Sequence, residues 1–314
     1  MSLLRSDEGR RAARLLEFDR LLEEVAEHCA LERASDIVRA TEPSTDVADL
    51  TELWSWVEEL RRAHAREVDL GLGSFADLQR LIGSERPSPG PLGGEELAAV
   101  GGAARALSDL LRAIESQSEQ LPRTARHLAG ATDPRSLADH LSGALESDGR
   151  LKDSASPQLG RLRKAAAAAE GRVRESARRA MSEAVSHQWT NGSELVLRGN
   201  RFCVPVRSGS RRKVAGIVHD RSDTGSTLFI EPLAVVEAGN ELAEARLAVD
   251  EEERRILVAL NRDVADAATA LLDLFERAVE IDAVRARVRW GAQWNGQVPE
   301  LGRDASGTLL LDGF

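Results

Sequence analysis

The chain has 314 residues, a formal net charge of −10, a hydrophobic fraction of 42% and an aromatic fraction of 4% with no tyrosine. That length suits two or three folding units, and a core so poor in aromatics must be built from Leu, Val and Ala, which favours packed helices. The composition also excludes whole classes of function. No run of about 18 apolar residues is present, so no membrane span is expected, and the charged amino terminus lacks a signal-peptide core. Cys29 and Cys203 lie far apart and form no metal or redox pattern, which fits a reducing cytoplasm. The three lysines, Lys152, Lys164 and Lys213, follow Leu151, Arg163 and Arg212, so no Gly-Lys-Ser/Thr phosphate loop exists in this sequence.

Residues 9–115 read as helices with short breaks. Leu15, Leu16, Phe18, Leu21, Leu22, Val25 and Ala26 follow one helical stripe. A second stripe runs through Leu50, Leu53, Trp54, Val57 and Leu60, with Asp46 or Asp49 available as its cap. Trp54 and Trp56 face different directions on that helix, so one is expected in the core and the other on a contact surface. Residues 71–74 and 84–94 are loops by their Gly, Pro and Ser content. A helix resumes over 95–116, and a shorter one follows Asp133-Pro134. Together these make a helical core over residues 1–150.

Ser156 fits an N-cap with Pro157 in the first helical position. A helix is predicted from there to about Trp189. Its seam, Leu159, Leu162, Ala166, Ala169, Val173, Ala177, Ala180 and Ala184, is narrow and built of small residues that let a partner helix approach closely. Residues 195–230 then carry the only sustained strand chemistry, with turns at Gly199-Asn200, 208–210 and 224–226. After Pro232 a second seam runs through Leu242, Ala245, Val249, Ile256 and Leu260, continuing through Leu271, Leu272, Phe275 and Val279. Residues 158–190 hold seven Arg/Lys against three Glu, whereas 233–277 hold eleven Asp/Glu against five Arg. Two arms of opposite charge joined by one β excursion should pair antiparallel within the chain. The expected fold is therefore mainly α: an ascending helix (151–193), a small antiparallel β tip (194–232), a descending helix (233–285) and an exit segment (286–314) beyond the core.

The β segment holds Arg198, Arg201, Arg207, Arg211, Arg212, Lys213 and Arg221 against Asp220 and Asp223, a local charge of +5 in a chain of −10. These seven are the candidate nucleic-acid-binding residues, gripping phosphate by charge and shape with no recognisable rule for reading bases. Phe202 and Phe229 either stack on bases or form the tip's small core. His219, Asp220, Ser222 and Ser226 look superficially like a hydrolytic triad, but a turn after Val218, with Asp220 and Asp223 bonding the turn backbone, explains them. The run Asp250, Glu251, Glu252 and Glu253 spreads around a helix axis and reads as a solvated face, not a metal site. His28 and Cys29 read as helix packing. Trp290 and Trp294 share a helical face and pack either onto the core or against a further domain.

Several stretches resemble the MutS-two family, the second bacterial branch of the MutS proteins. LLEFDRLLEEVAEHCA at 15–30 is similar to that family's opening helix and EPSTD at 42–46 to its next turn. KDSASPQLGRLR at 152–163 resembles the start of its lever, and RGNRFCVPVRSGSRRKVAGIVHDRSDTGSTLFIEPLAVVEAGNEL at 198–242 its clamp. The resemblance spans about 12–300, is most specific over 152–242 and is loose over 60–150. It implies a core, lever and clamp that in the family precede a dimerising ATPase domain, which binds ATP and Mg, and a small nuclease-like domain. The chain is expected to stop where that ATPase would begin, to carry no cofactor or catalytic residue itself, and to be monomeric or weakly dimeric. The implied partners are branched or duplex DNA, ribosomal RNA and the ribosome. The implied roles of the whole protein are suppression of homologous recombination and splitting of collided ribosomes, without mismatch reading. A helical adaptor whose basic tip binds an acidic protein is the alternative that the residues leave open.

Overall fold

The computed structural model describes residues 7–44, 46–87, 90–298, 300–303 and 309–312. The chain divides into two compact units, one formed by residues 1–150 with 259–314 and the other by 151–258.

The first unit is helical: α1 (Asp7–Leu15), α2 (Phe18–Ala26), α3 (Glu32–Arg39), α4 (Val47–Ala65), α5 (Leu78–Leu81), α6 (Gly94–Ser116), α7 (Pro122–His127), α8 (Arg135–Ala144), and residues 259–293 of the long α10 (Leu233–Gln293). The strands Glu300–Arg303 and Leu309–Asp312 pair antiparallel. The stripe expected through Leu15 and Leu16 breaks there. Glu17 adopts a left-handed φ of 51°, which ends one helix and starts the next out of phase, leaving both leucines about three-quarters exposed while Leu22, Val25 and Ala26 are buried. Helix α3 falls within the stretch expected to be helical, whereas α7, beyond residue 116, was not anticipated. The first is one of the short ones, and its buried residues are only Ala34 and Val38.

Helix α4 starts where Asp46 accepts hydrogen bonds from the Ala48 and Asp49 amides, satisfying donors that the helix itself leaves open. Trp56 enters the core and donates through Nε1 to Thr124 Oγ1 at 3.0 Å. Glu59 accepts from Thr124 Oγ1 and from the Arg123 and Thr124 amides, so one carboxylate caps the N-terminus of α7. Trp54 instead lines an apolar cleft of about 570 Å³ with Phe18, Leu21, Leu53, Val57 and Trp290. Trp290 also donates to Glu24, so that residue packs onto the helical core while Trp294 stays two-thirds exposed.

Helix α6 buries Leu97, Val100, Ala104, Leu107, Leu111 and Ile114 at helical spacing. Its start leaves no space: a Cβ on Gly94 would run into the carbonyl of Gly149, and a Cβ on Gly149, at φ 80°, into the backbone of Gly94 and Glu95. The most enclosed charge is Asp282 on α10. Its carboxylate accepts from the Ala30 and Leu31 amides at 2.7 and 2.8 Å and pairs with Arg285, which donates in turn to the Leu72 carbonyl. Burial pushes the Arg285 pKa down, against the pull of Asp282. Burial and the Asp282 charge together push the nearby Cys29 thiol up to about 11. The reading of Cys29 as ordinary packing fits an un-ionised thiol.

The second unit begins with a 3-10 turn, Asp153–Ala155, and α9 (Pro157–Ser186). Ser156 caps it, accepting from the Leu159 amide, with Pro157 in the first position as expected. Along α9, Leu159, Ala169, Ala177 and Ala184 are buried on the predicted seam, joined by Met181. Residues 233–258 of α10 run antiparallel to it, joined by Arg163–Glu253, Arg172–Glu241 and Arg246–Glu170. The acidic run is not wholly a solvated face, contrary to expectation. Glu252 is almost inaccessible, accepting from Ser156 Oγ at 2.6 Å and pairing with Arg255, because the α9 cap turns toward it. These bonds, Arg255 first, hold its carboxyl down at about 2.

The β tip is a four-stranded antiparallel sheet of β1 (Val196–Arg198), β2 (Arg201–Arg207), β3 (Gly216–Arg221) and β4 (Thr227–Pro232), in the order β1-β2-β4-β3. Gly199 and Asn200 both take positive φ, the two-residue turn that matches strand twist. The strands β2 and β3 flank β4 in the same direction, so the 3-10 turn Ser208–Lys213 lies within a short crossover. Val204, Val206, Leu228 and Ile230 form one buried face against Met181 and Ala184 of α9, with Val214 of the crossover packed beside them.

Candidate nucleic-acid interface

Each of the seven candidate cations sits in the sheet or its crossover, but their electrostatic situations differ. Arg198 donates through Nε to Asp220 at 2.9 Å, and its guanidinium lies 4.2 Å from the centre of the Phe229 ring. Arg201 faces Glu231 at 3.4 Å. These two are internally neutralised. Phe229, half-buried beneath Arg198, belongs to the tip's packing, and Phe202 is also half-buried.

Arg207 and Arg211 keep their charge while holding local structure. Arg207 Nε donates to Asn191 Oδ1 at 2.8 Å, and Asn191 in turn donates to Thr227 Oγ1. Arg211 bonds the Val214 and Gly216 carbonyls, closing the crossover. Arg212, Lys213 and Arg221 are exposed, and their side chains make no hydrogen bond or ion pair among the described residues. A cation without a carboxylate neighbour retains its full field for a polyanion.

The turn expected directly after Val218 lies further on. The chain stays in β3 through Arg221, and the register slips between Val218 and Asp220, leaving His219 as a bulge residue. The cause is Glu231, which is 2% exposed: His219 Nε2 meets it at 2.7 Å, so the bulge brings a polar partner to a buried carboxylate. The turn itself spans 222–227, where Thr227 N–H donates to Ser222 Oγ and Gly225 takes φ 68°. Asp220 bonds the Arg221 amide and Arg198, so its role is an ion pair across the sheet in place of the expected turn bond. His219, Ser222 and Ser226 form no hydrolytic relay, since the His219 partner is a carboxylate on the next strand and Ser226 bonds Thr224. Burial and the Glu231 charge raise the Cys203 thiol, so it stays protonated at neutral pH.

Helix α9 stops short of Trp189. His187 is its C-cap and Gln188 takes a left-handed φ of 55°. Gln188 N–H then bonds Val185 O, and Trp189 N–H bonds Ala184 O at 2.8 Å, the paired bonds of a Schellman ending. This exit stacks His187 on Trp189, with centroids 4.5 Å apart and planes at 22°. The sequence reading took Trp189 only as the end of a helix. The signal available was the SHQWTNG stretch, in which helix formers give way to two rings and an Asn-Gly pair.

No family model matches the chain. Curated relatives do match it at length. Endonuclease MutS2 of Thermomicrobium roseum is 30% identical over 302 residues, 96% of this chain and 38% of the relative. Endonuclease MutS2 of Symbiobacterium thermophilum is 32% identical over 298 residues, covering 94% and 37%. The chain belongs to the MutS2 family. It spans less than two-fifths of the length of these relatives, and the same holds for Endonuclease MutS2 of Bacillus cytotoxicus, 29% identical over 294 residues. In this MutS2 chain, no group of three or more His, Cys, Asp or Glu side chains converges as a metal site among the described residues. No described helix is long and apolar enough to cross a membrane.

Proposed function

We propose that this MutS2 chain is the nucleic-acid-gripping part of its protein, with the β tip acting as a clamp and the paired α9 and α10 segments as its lever. The observation that carries this reading is the trio Arg212, Lys213 and Arg221, exposed and without carboxylate partners in a chain of net charge −10. Carboxylates are abundant here, yet they neutralise Arg198 and Arg201 and leave this trio open. Such a pattern suits phosphate backbone contacts that position a nucleic acid without reading its sequence. The targets we assign are branched or duplex DNA and ribosomal RNA, both of which present that backbone. On this reading the chain contributes grip and leverage. ATP hydrolysis and the endonuclease activity named for its relatives belong to the remainder of the protein, as do its proposed roles in suppressing recombination and splitting collided ribosomes.

The test is affinity against salt concentration for DNA junctions, duplex DNA and ribosomal RNA, with the chain carrying Arg212→Glu, Lys213→Glu and Arg221→Glu together. Each lost phosphate contact should flatten the log–log slope by about 0.9 for duplex DNA, with similar weakening for every sequence. An unchanged slope would sink the assignment of the tip as the gripping surface. Absence of binding to all three targets at low salt would favour a tip that docks on an acidic protein.

A further inference from the structure

We propose that the stacked His187–Trp189 pair is a platform for one unpaired base, so that the tip engages nucleic acid where strands separate. This rests on the clamp reading above and adds a site to it.

Three observations lead there. The first is exposure. Of the two rings, His187 is exposed and Trp189 half-buried, so a base laid on His187 extends a stack that Trp189 already backs. The second is preorganisation. His187 Nδ1 lies 3.0 Å from the Glu183 carbonyl and 3.1 Å from Ser186 Oγ, which fixes the ring before any ligand arrives. Capping does not need these rings, because the Schellman bonds are made by the backbone alone.

The third is the neighbouring charge. Thr190 bridges Val206, and the Arg207 amide donates to the Trp189 carbonyl at 2.8 Å, which sets Trp189 opposite Arg207. Residues directly opposite on antiparallel strands lie within about 5.5 Å at Cβ. The Arg207 guanidinium is engaged only through Nε by a neutral amide, so its positive charge remains available to the phosphate next to the stacked base. An aromatic face beside a cation is the combination by which single strands are held with little regard to sequence. Phe229 cannot serve in the same way, since the Arg198 guanidinium lies over its ring.

The experiment uses the whole chain at fixed salt with unstructured single-stranded DNA, unstructured RNA and a blunt duplex, each strand carrying a fluorescent base whose emission is quenched on stacking. His187→Ala, an exposed change, should lower single-strand affinity about 5- to 100-fold and abolish the quenching, with duplex affinity held within about twofold. His187→Phe should restore both. A loss confined to DNA or to RNA would support the platform and assign it to that strand; loss in both would mark it as a reader of the base face alone. Equal loss for strands and duplex, or no loss at all while the native chain binds duplex, would overturn the platform and leave the clamp reading intact. A native chain that binds neither strands nor duplex would remove both.

Discussion

The two units of this chain solve the same problem, burying enough surface to stay folded, with different materials. The first buries leucine, valine and a few rings, Phe275 against Phe75 and Trp56 against His127, and encloses the Asp282–Arg285 pair. The second packs a helix whose seam is mostly alanine against an acidic partner, and its long helices are joined by ion pairs left open to water, such as Arg172–Glu241. Alanine buries little area per residue, so this seam contributes less through the hydrophobic effect than a leucine seam of equal length. What it permits is close approach, and with it a large penalty for any added bulk.

That contrast can be broken at several points. Asp282→Ala should be the most damaging, since it orphans the Ala30 and Leu31 amides and leaves Arg285 buried without its partner; a loss of about 3–5 kcal/mol is expected in denaturant titration. Hydrogen exchange should place the loss in the helices of the first unit. Ile230→Ala should cost about 2–5 kcal/mol by opening a cavity beneath the sheet, with faster exchange in β2 and β4 while α6 stays protected. Ala177→Leu should destabilise the second unit by about 1–3 kcal/mol through overpacking, where the same change in a leucine-lined seam would find more slack.

Acid sharpens the contrast further. The Glu252 carboxyl is held at about 2 in the folded chain, against an ordinary value of 4.5. The stabilisation it contributes is complete above the ordinary range and is lost as pH falls from there through about 2. Glu252→Gln should remove that part of the acid sensitivity, visible as a shallower decline of stability between pH 5 and pH 2. The smallest expected effect is at Arg172–Glu241, both more than half exposed, where a double-mutant cycle should return about 0.2–1 kcal/mol, shrinking with added salt.

Much of this was legible in the residues. Ser156-Pro157 announced the start of α9 because cap chemistry is local, and the alanine seam gave its buried face because period 3.6 survives any context. Gly199-Asn200 marked its hairpin for the same reason. The strand chemistry and turn residues of 195–230 located the strands, and the basic residues among them were plain. What did not show was anything decided by a distant partner. Glu252 looked like one of four solvated carboxylates until Ser156, nearly a hundred residues away in sequence, turned toward it. The seven cations looked equivalent until Asp220 and Glu231 claimed two of them. His219 was placed in a turn because a bulge leaves no mark in the pattern of a single strand. Leu15 and Leu16 fitted their stripe, and only the backbone at Glu17 took them out of it.

The meeting of Gly94 with Gly149 has a consequence for how this sequence can change over time. A crowded contact between large side chains can drift, because growth on one side is offset by shrinkage on the other. Here both partners are already at the smallest size available, and Gly149 also holds a backbone angle that other residues resist. Neither position has a compensating move, so the two are locked as a pair, and any variant that replaces one must rebuild the turn around it.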